Sequence, residues 1–301
     1  MIEFKNLSKS IDGNLILDSI DLQIKKGSVF GLLGSNGAGK STILRLMCGI
    51  YKQESGELLI DGEKVYDNVK IKRQIFFIND ETVQFTSFTL KDLKKYYRNY
   101  YPNFSDETFE KLRKNVNLPI DKKISTFSKG MKRQAIVITG LSCQTEYLLL
   151  DEAFDGLDPT MRIIVKDIIF DAMLDRQMTV IISSHNLKEI NEICDSAAMI
   201  HNGKIIFCRE LDEIKNNILK IQTSFKQEYT KEDFPELEIL HFEKKQSVYY
   251  IIGKGEIDEI KKYVTQKSPA FLDILPLTLE EIFIYEMEAL GYNANGIETN
   301  Q

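Results

Sequence analysis

The segment GSNGAGKS, Gly34 to Ser41, spaces glycines, a lysine and a hydroxyl as G-x-x-x-x-G-K-[ST]. Glycines let a backbone curl until several N–H groups point at one anion. A helix that begins there adds the partial positive charge of its N-terminus. Gly34, Ser35, Asn36, Gly37, Ala38 and Gly39 are therefore expected to cradle phosphate oxygens. Lys40 can reach the β- and γ-phosphates of a nucleotide, the Ser41 hydroxyl can ligate Mg²⁺, and Thr42 can donate to the α-phosphate.

A second set of reactive groups lies in YLLLDEAFDGLDP. Asp151 and Glu152 follow an apolar run that reads as a buried strand, and ligands of α/β sheets collect at the carboxyl ends of strands. Asp151 is expected near the metal through its water shell, because Mg²⁺ keeps several waters. Glu152 can polarise a water for in-line attack on the γ-phosphate. His185, in SSHN after the next apolar run, can contact the γ-phosphate or steady that water. Taken alone, an Asp-Glu pair ends a strand and a single His is structural; the phosphate loop is what gives both a chemical reading.

The third set is STFSKGMKRQ, Ser125 to Gln134. Ser128, Lys129 and Gly130 stand where a helix begins, with further basic residues behind them. This reads as another anion-binding helix start, although one nucleotide needs only one phosphate loop.

The elements around these residues alternate. SVFGLLG, TEYLLLDEAF and MTVIISSHN are short, nearly wholly apolar strands of the type covered on both faces. Helical patterns follow them, and LDPTMRIIVKDIIFDAML opens with Asp158 as N-cap and Pro159 at the first helical position. IEFKNLS and LILDSIDLQIKKG read as strands, and Asp61-Gly62 and Asn202-Gly203 mark hairpins. The predicted fold class is α/β, a mixed P-loop NTPase sheet with an antiparallel β subdomain and a helical subdomain at about 85–145. After about residue 215 the texture changes, which predicts a small accessory α/β domain over 216–290 and a disordered tail over 291–301.

Bulk properties narrow the class. With 301 residues and 43% hydrophobic content the chain can bury one large core and a small appended one. A net charge of −6 gives no support for nucleic acid as a partner. Cys48, Cys143, Cys194 and Cys208 are scattered without a C-x-x-C, so neither a disulfide framework nor a zinc site is expected. No apolar run approaches the roughly 18–20 residues needed to span a bilayer, and the N-terminus lacks a signal-peptide core.

Taken together, GSNGAGKST, FSKGMKRQ, LLLDEAFDGLDP and SSH, in this order, resemble the Walker A, signature, Walker B with D-loop, and switch-histidine motifs of ABC transporter ATPase subunits. The likeness covers about residues 1–215. FSKGMKRQ is similar to the SKGMK-type signatures of a subgroup that serves separate export-type permeases. The resemblance implies a head-to-tail dimer, homodimeric or pseudo-symmetric, in which Ser128, Lys129 and Gly130 of one chain touch the ATP held on the phosphate loop of the other. It implies a separately encoded integral-membrane permease as partner. It also implies a cytoplasmic location, peripheral on the inner face of the cell membrane. The family stacks an aromatic residue on adenine where this chain has Ile11, which leaves an apolar contact without stacking. It places a glutamine near position 80, where this chain has Asp80, a hard oxygen donor able to bind Mg²⁺ directly; Gln84 is a weaker candidate for that role. The surface near 80–93 is the expected permease contact.

Three readings follow: an ATPase that powers a separate exporter, a non-transport ATPase of the same superfamily acting on ribosomes or nucleic acid, and a module that senses ATP without turnover. The single phosphate loop favours the first. The Asp151, Glu152 and His185 set speaks against the third, which Ile11 and Asp80 keep open.

Overall fold

A computed structural model describes residues 1–79, 85, 87–212 and 218–289. Along the chain run β1 (Ile2–Ile11), β2 (Asn14–Ile24), β3 (Val29–Leu33), α1 (Lys40–Met47), β4 (Ser55–Ile60), β5 (Glu63–Lys64), α2 (Val69–Lys72) and β6 (Ile75–Ile78). Then come α3 (Leu90–Tyr100), α4 (Asp106–Asn115), α5 (Lys129–Ser142), β7 (Tyr147–Asp151), α6 (Pro159–Arg176), β8 (Thr179–Ser184), α7 (Leu187–Ile193), β9 (Ser196–His201) and β10 (Lys204–Glu210). The last stretch holds β11 (Ile218–Ser224), β12 (Glu238–Lys245), β13 (Val248–Lys254), α8 (Ile257–Gln266), β14 (Phe271–Leu275) and α9 (Leu279–Ala289).

The chain divides into two compact units, Met1–Cys208 and Arg209–Gln301. The division falls inside β10, a few residues before the change of texture at about 215. A strand that continues across the boundary carries no compositional mark of it.

The first unit holds two sheets. One has the order β10-β9-β3-β8-β7-β6, and its β3, β6, β7, β8 and β9 pair in parallel. Every residue of β3, β7 and β8 is buried, as their unbroken apolar runs require. The other sheet is antiparallel with the order β2-β1-β4-β5, and alternate residues of β2 face the core. One apolar core joins them, with Leu17, Leu32, Leu44, Met47, Ile60 and Leu149 inaccessible or nearly so. In region 85–145, α3 and α4 are amphipathic surface helices that bury Leu90 and Leu93, and Phe109 and Leu112, whereas α5 is buried over most of its second half. α3 begins with a Thr89–Asp92 capping box, and α4 begins at Ser105, whose hydroxyl accepts from the Thr108 N–H. α5 packs against both. α6 begins as expected, with Asp158 accepting from the Met161 N–H at 3.0 Å and Pro159 in its first turn.

The second unit is an antiparallel sheet of order β12-β13-β11-β14. Its own core gathers Ile221, Phe234, Tyr249 and Ile251 with Ile260 and Val264 of α8. The ring of His241 on β12 lies 5.0 Å from that of Tyr285 on α9. The predicted tail over 291–301 lies outside the described residues, as do Asp80 and Gln84.

Candidate functional site

The buried strand β3 delivers the chain into the Gly34–Gly39 loop, and α1 starts at once with Lys40. Its N-cap, Gly39, has φ +114° and no side-chain cap. A side chain there is strained by the backbone and would also lie 2.7 Å from a methyl of Leu17. The helix start is thus offered to a ligand, not closed by its own residue.

Lys40 is 4% exposed. Its ammonium donates to the carbonyl oxygens of Gly34 at 2.7 Å and Ser35 at 3.1 Å, and its counter-anion is Glu152, with Oε1 at 3.3 Å. A buried charge of this kind requires such partners. Beside it opens a cavity of about 570 Å³, within the size range of ligand pockets. The phosphate-loop residues Ser35, Asn36, Gly37, Gly39, Lys40, Ser41 and Thr42 line it, together with Glu152 and, from the antiparallel sheet, Ile11, Asn14 and Ile16. Gly34 and Ala38 complete the loop behind that wall; Ala38 is buried, and its N–H donates to the Ser35 carbonyl at 3.2 Å. Ile11 therefore belongs to the same cavity as the loop, and among the described residues no aromatic ring lines it.

β7 ends on Asp151, which is 1% exposed. The Ser183 hydroxyl of neighbouring β8 donates to Asp151 Oδ1 at 2.5 Å. Asp151 Oδ2 is buried and has no hydrogen-bond partner among the described residues. An unmatched buried carboxylate oxygen is the donor that a hard divalent cation or its water shell takes, so this carboxylate and the Ser41 hydroxyl fit Mg²⁺.

Glu152 leaves the strand in the left-handed region, φ +46°, which is uncommon for a residue with a side chain. Its N–H is anchored by Ser183, at 3.2 Å to the carbonyl and 3.1 Å to the hydroxyl. Its Oε2 accepts from His185 Nδ1 at 2.9 Å. Because the carboxylate accepts, Nδ1 carries the proton and a neutral ring keeps its Nε2 lone pair free. Asp155 lies beside both, with Oδ2 3.8 Å from His185 Nδ1. Burial opposes the charge of Glu152, but hydrogen bonds from Asp155 and His185 and the Lys40 ammonium outweigh it and hold its carboxyl below the usual range. Burial, followed by the hydrogen bond and charge of Glu152, pushes Asp155 up. Of the two carboxyl groups, Asp155 is the one that keeps a proton more readily.

Ser128, the N-cap of α5, is exposed, and its hydroxyl accepts from the Met131 N–H at 3.2 Å. Lys129 lies across the loop that precedes α6. A Cβ on Gly156, where φ is +66°, would stand 2.0 Å from the Lys129 ammonium. Gly130 abuts Met161 in the first turn of α6, where a Cβ would meet the side chain at 3.1 Å. The start of α5 and the GLDP loop thus form one surface. Ser128, Lys129 and Gly130 are not among the residues that line the phosphate-loop cavity.

Within one chain the fold brings together Lys40, Glu152 and His185, with Asp151 next to Glu152 in the sequence and tied to it through Ser183. The sequence reading assigned nothing to Ser183, which links Asp151 to Glu152, or to Asp155, which shares their charge. Asp155 stands three residues after Glu152 in DEAFDG, and that spacing is the only signal it gives.

The family model described as ABC transporter matches residues 17–155. The chain is 32% identical over 289 residues to the ABC transporter ATP-binding protein YtrB of Bacillus subtilis (strain 168), covering 94% of this chain and 97% of the relative. It is 33% identical over 218 residues to the lantibiotic transport ATP-binding protein SrtF of Streptococcus pyogenes, covering 72% of this chain and 93% of the relative. Among solved structures, an ATP-binding subunit of an ABC transporter superposes with a TM-score of 0.65 at 25% identity, covering 71% of this chain and 92% of that one. The chain belongs to the ATP-binding subunits of ABC transporters, the ATPases that bind and hydrolyse ATP for transport.

Proposed function

We propose that this chain dimerises around two ATP molecules, hydrolyses them, and drives a separate membrane permease that works as an exporter. The observation that carries this reading is the contact of Lys40 and Glu152 in the lining of one cavity, 3.3 Å apart, with His185 on the other oxygen of Glu152. Lys40 binds the β- and γ-phosphates of the substrate, and the N–H groups of the loop and of α1 bind the remaining oxygens. In doing so the phosphates compete with Glu152 for the ammonium. The freed carboxylate takes the proton of the attacking water, and His185, turned by its Nδ1–H, holds the γ-phosphate or that water. Ser41 and Asp151, with Asp80, would hold Mg²⁺, whose charge neutralises the phosphates when it is bound.

Ser128, Lys129 and Gly130 face a second chain in this reading. Their helix start, rich in N–H donors and positive charge, suits the γ-phosphate bound by the partner. Loss of that phosphate removes the shared ligand. ATP at about 100 times its dissociation constant biases such an equilibrium by roughly 2.7 kcal/mol, the scale available to move a permease.

Docking to the permease is supported by an aromatic groove of about 430 Å³ lined by Val69, Lys72, Arg73, Phe85, Tyr96 and Tyr100, among others. The rings of Phe85 and Tyr96 meet at a tilt of 49° with centroids 4.8 Å apart, while Val69 and Tyr100 remain largely exposed. Among the described residues no helix is long and apolar enough to cross a membrane, so the permease is the membrane contact proposed here. The export direction rests on the SKGMK-type signature. The testing experiment is purification with the encoded permease followed by ATPase and transport assays in vesicles. ATP-dependent loss of substrate from the side that bears this chain supports the reading, and uptake in the opposite sense contradicts it.

A further inference from the structure

One buried charge plays no part in the chemistry above. Glu189, in the first turn of α7, is 4% exposed. Its Oε2 accepts from the Ser184 hydroxyl at 2.9 Å, and Ser184, 2% exposed, also accepts from the Asn186 N–H at 2.9 Å. These two bonds bracket His185 on both sides of its backbone. The other oxygen, Oε1, faces Arg162 Nη1 at 3.4 Å and makes no hydrogen bond among the described residues. Arg162 stands in the first helical turn after the GLDP loop, its N–H bonded to the Asp158 carbonyl at 3.0 Å. One carboxylate therefore ties the segment that carries His185 to the helix that begins at the GLDP loop. An apolar side chain would fill this site without the cost of a buried charge, and it would leave that join unmade.

We propose that Glu189 is a positioning residue for ATP hydrolysis. It sets His185 in register with Glu152 through Ser184, and it couples that register to the GLDP loop through Arg162. Glu189 touches neither substrate nor metal and acts only through His185. The inference rests on the reading of Glu152 and His185 as the hydrolytic pair. The ion pair to Arg162 is open by several tenths of an ångström relative to a charge-assisted hydrogen bond. A small movement of α6 at a dimer interface is enough to close it, so the join can report partner engagement to the histidine.

The test is a kinetic double-mutant cycle on the full chain under single-turnover conditions. Glu189→Gln is expected to lower the hydrolytic rate about tenfold while ATP affinity stays within about twofold. In the His185→Ala background the same change is expected to add less than about twofold. A parental rate in Glu189→Gln overturns the proposal. So does a loss confined to ATP affinity, or an undiminished loss in the His185→Ala background, since a residue that merely supports the fold would produce either. If Glu189→Gln has lost its thermal transition, Arg162→Gln carries the test at the more exposed end of the pair. A loss of about threefold, absent without His185, is then expected, and full additivity contradicts the proposal. If His185→Ala alone keeps the parental rate, the hydrolytic role of His185 fails first and this inference falls with it. That outcome is distinct from failure of the cycle.

Discussion

Two helices of this chain begin at residues suited to anions, and they begin differently. α1 opens on Gly39 with no side-chain cap, and its Lys40 is buried against two carbonyls and Glu152. α5 opens on Ser128, which is exposed and closes its own first turn by accepting from the Met131 N–H. The first start has its cation, counter-anion and cavity within a single chain. The second has donors and positive charge but faces outward, and its lysine rests on a neighbouring loop. A site complete within the chain and a site that waits for a second chain should respond differently to the same kind of damage.

The largest effect is expected at the complete site. Lys40→Ala removes the buried ammonium and leaves Glu152 without its cation, so ATP binding to the isolated chain should weaken at least about 100-fold. Titration calorimetry checks this, and affinity within a few-fold of parental would break the comparison. Next is Glu152→Gln, which keeps the shape but removes both the proton acceptor and the anion that competes for Lys40. Turnover should fall by about 10²–10³, while ATP affinity rises a few-fold; single-turnover and binding measurements on the same preparation separate the two. Unchanged turnover would reject Glu152 as the base.

At the outward-facing start, Ser128→Glu places a negative charge on the proposed seat of the partner's phosphate. The ATPase rate should drop at least about tenfold while the affinity of the isolated chain stays within about twofold. Equal losses in both would mean that α5 helps to bind the nucleotide of its own chain. The smallest effect concerns the base. Ile11 lines the cavity without a ring to stack, so Ile11→Tyr should tighten ATP about two- to tenfold with little change in turnover. A competition series with other nucleoside triphosphates would show whether base preference sharpens with it.

Local chemistry was well marked in the sequence. The phosphate loop, the apolar strands β3, β7 and β8, and the Asp158-Pro159 start of α6 each depend on residues adjacent along the chain. Ser183 was not marked, because its hydroxyl matters only once β8 lies beside β7 and meets Asp151. Glu189 was hidden for the same reason: a glutamate in the first turn of a short helix reads as an exposed charge until the fold brings Ser184 and Arg162 to it. The contact of Lys129 with Gly156 joins segments some 27 residues apart that share no pattern. In the second unit, alternation marked the strands, but the order β12-β13-β11-β14 places β14 beside β11, a pairing that periodicity does not encode.

The account turns on whether a second chain completes the site that Ser128 begins. The direct measurement is the mass of the Glu152→Gln variant by light scattering with Mg²⁺ and saturating ATP, alone and in complex with its permease. The account predicts ATP-dependent assembly to twice the 34.7 kDa chain mass, or pairing with a second ATPase chain in the complex, and loss of that assembly in a Ser128→Glu, Glu152→Gln double variant. A strictly single ATPase chain in both settings, with ATP bound, would contradict it.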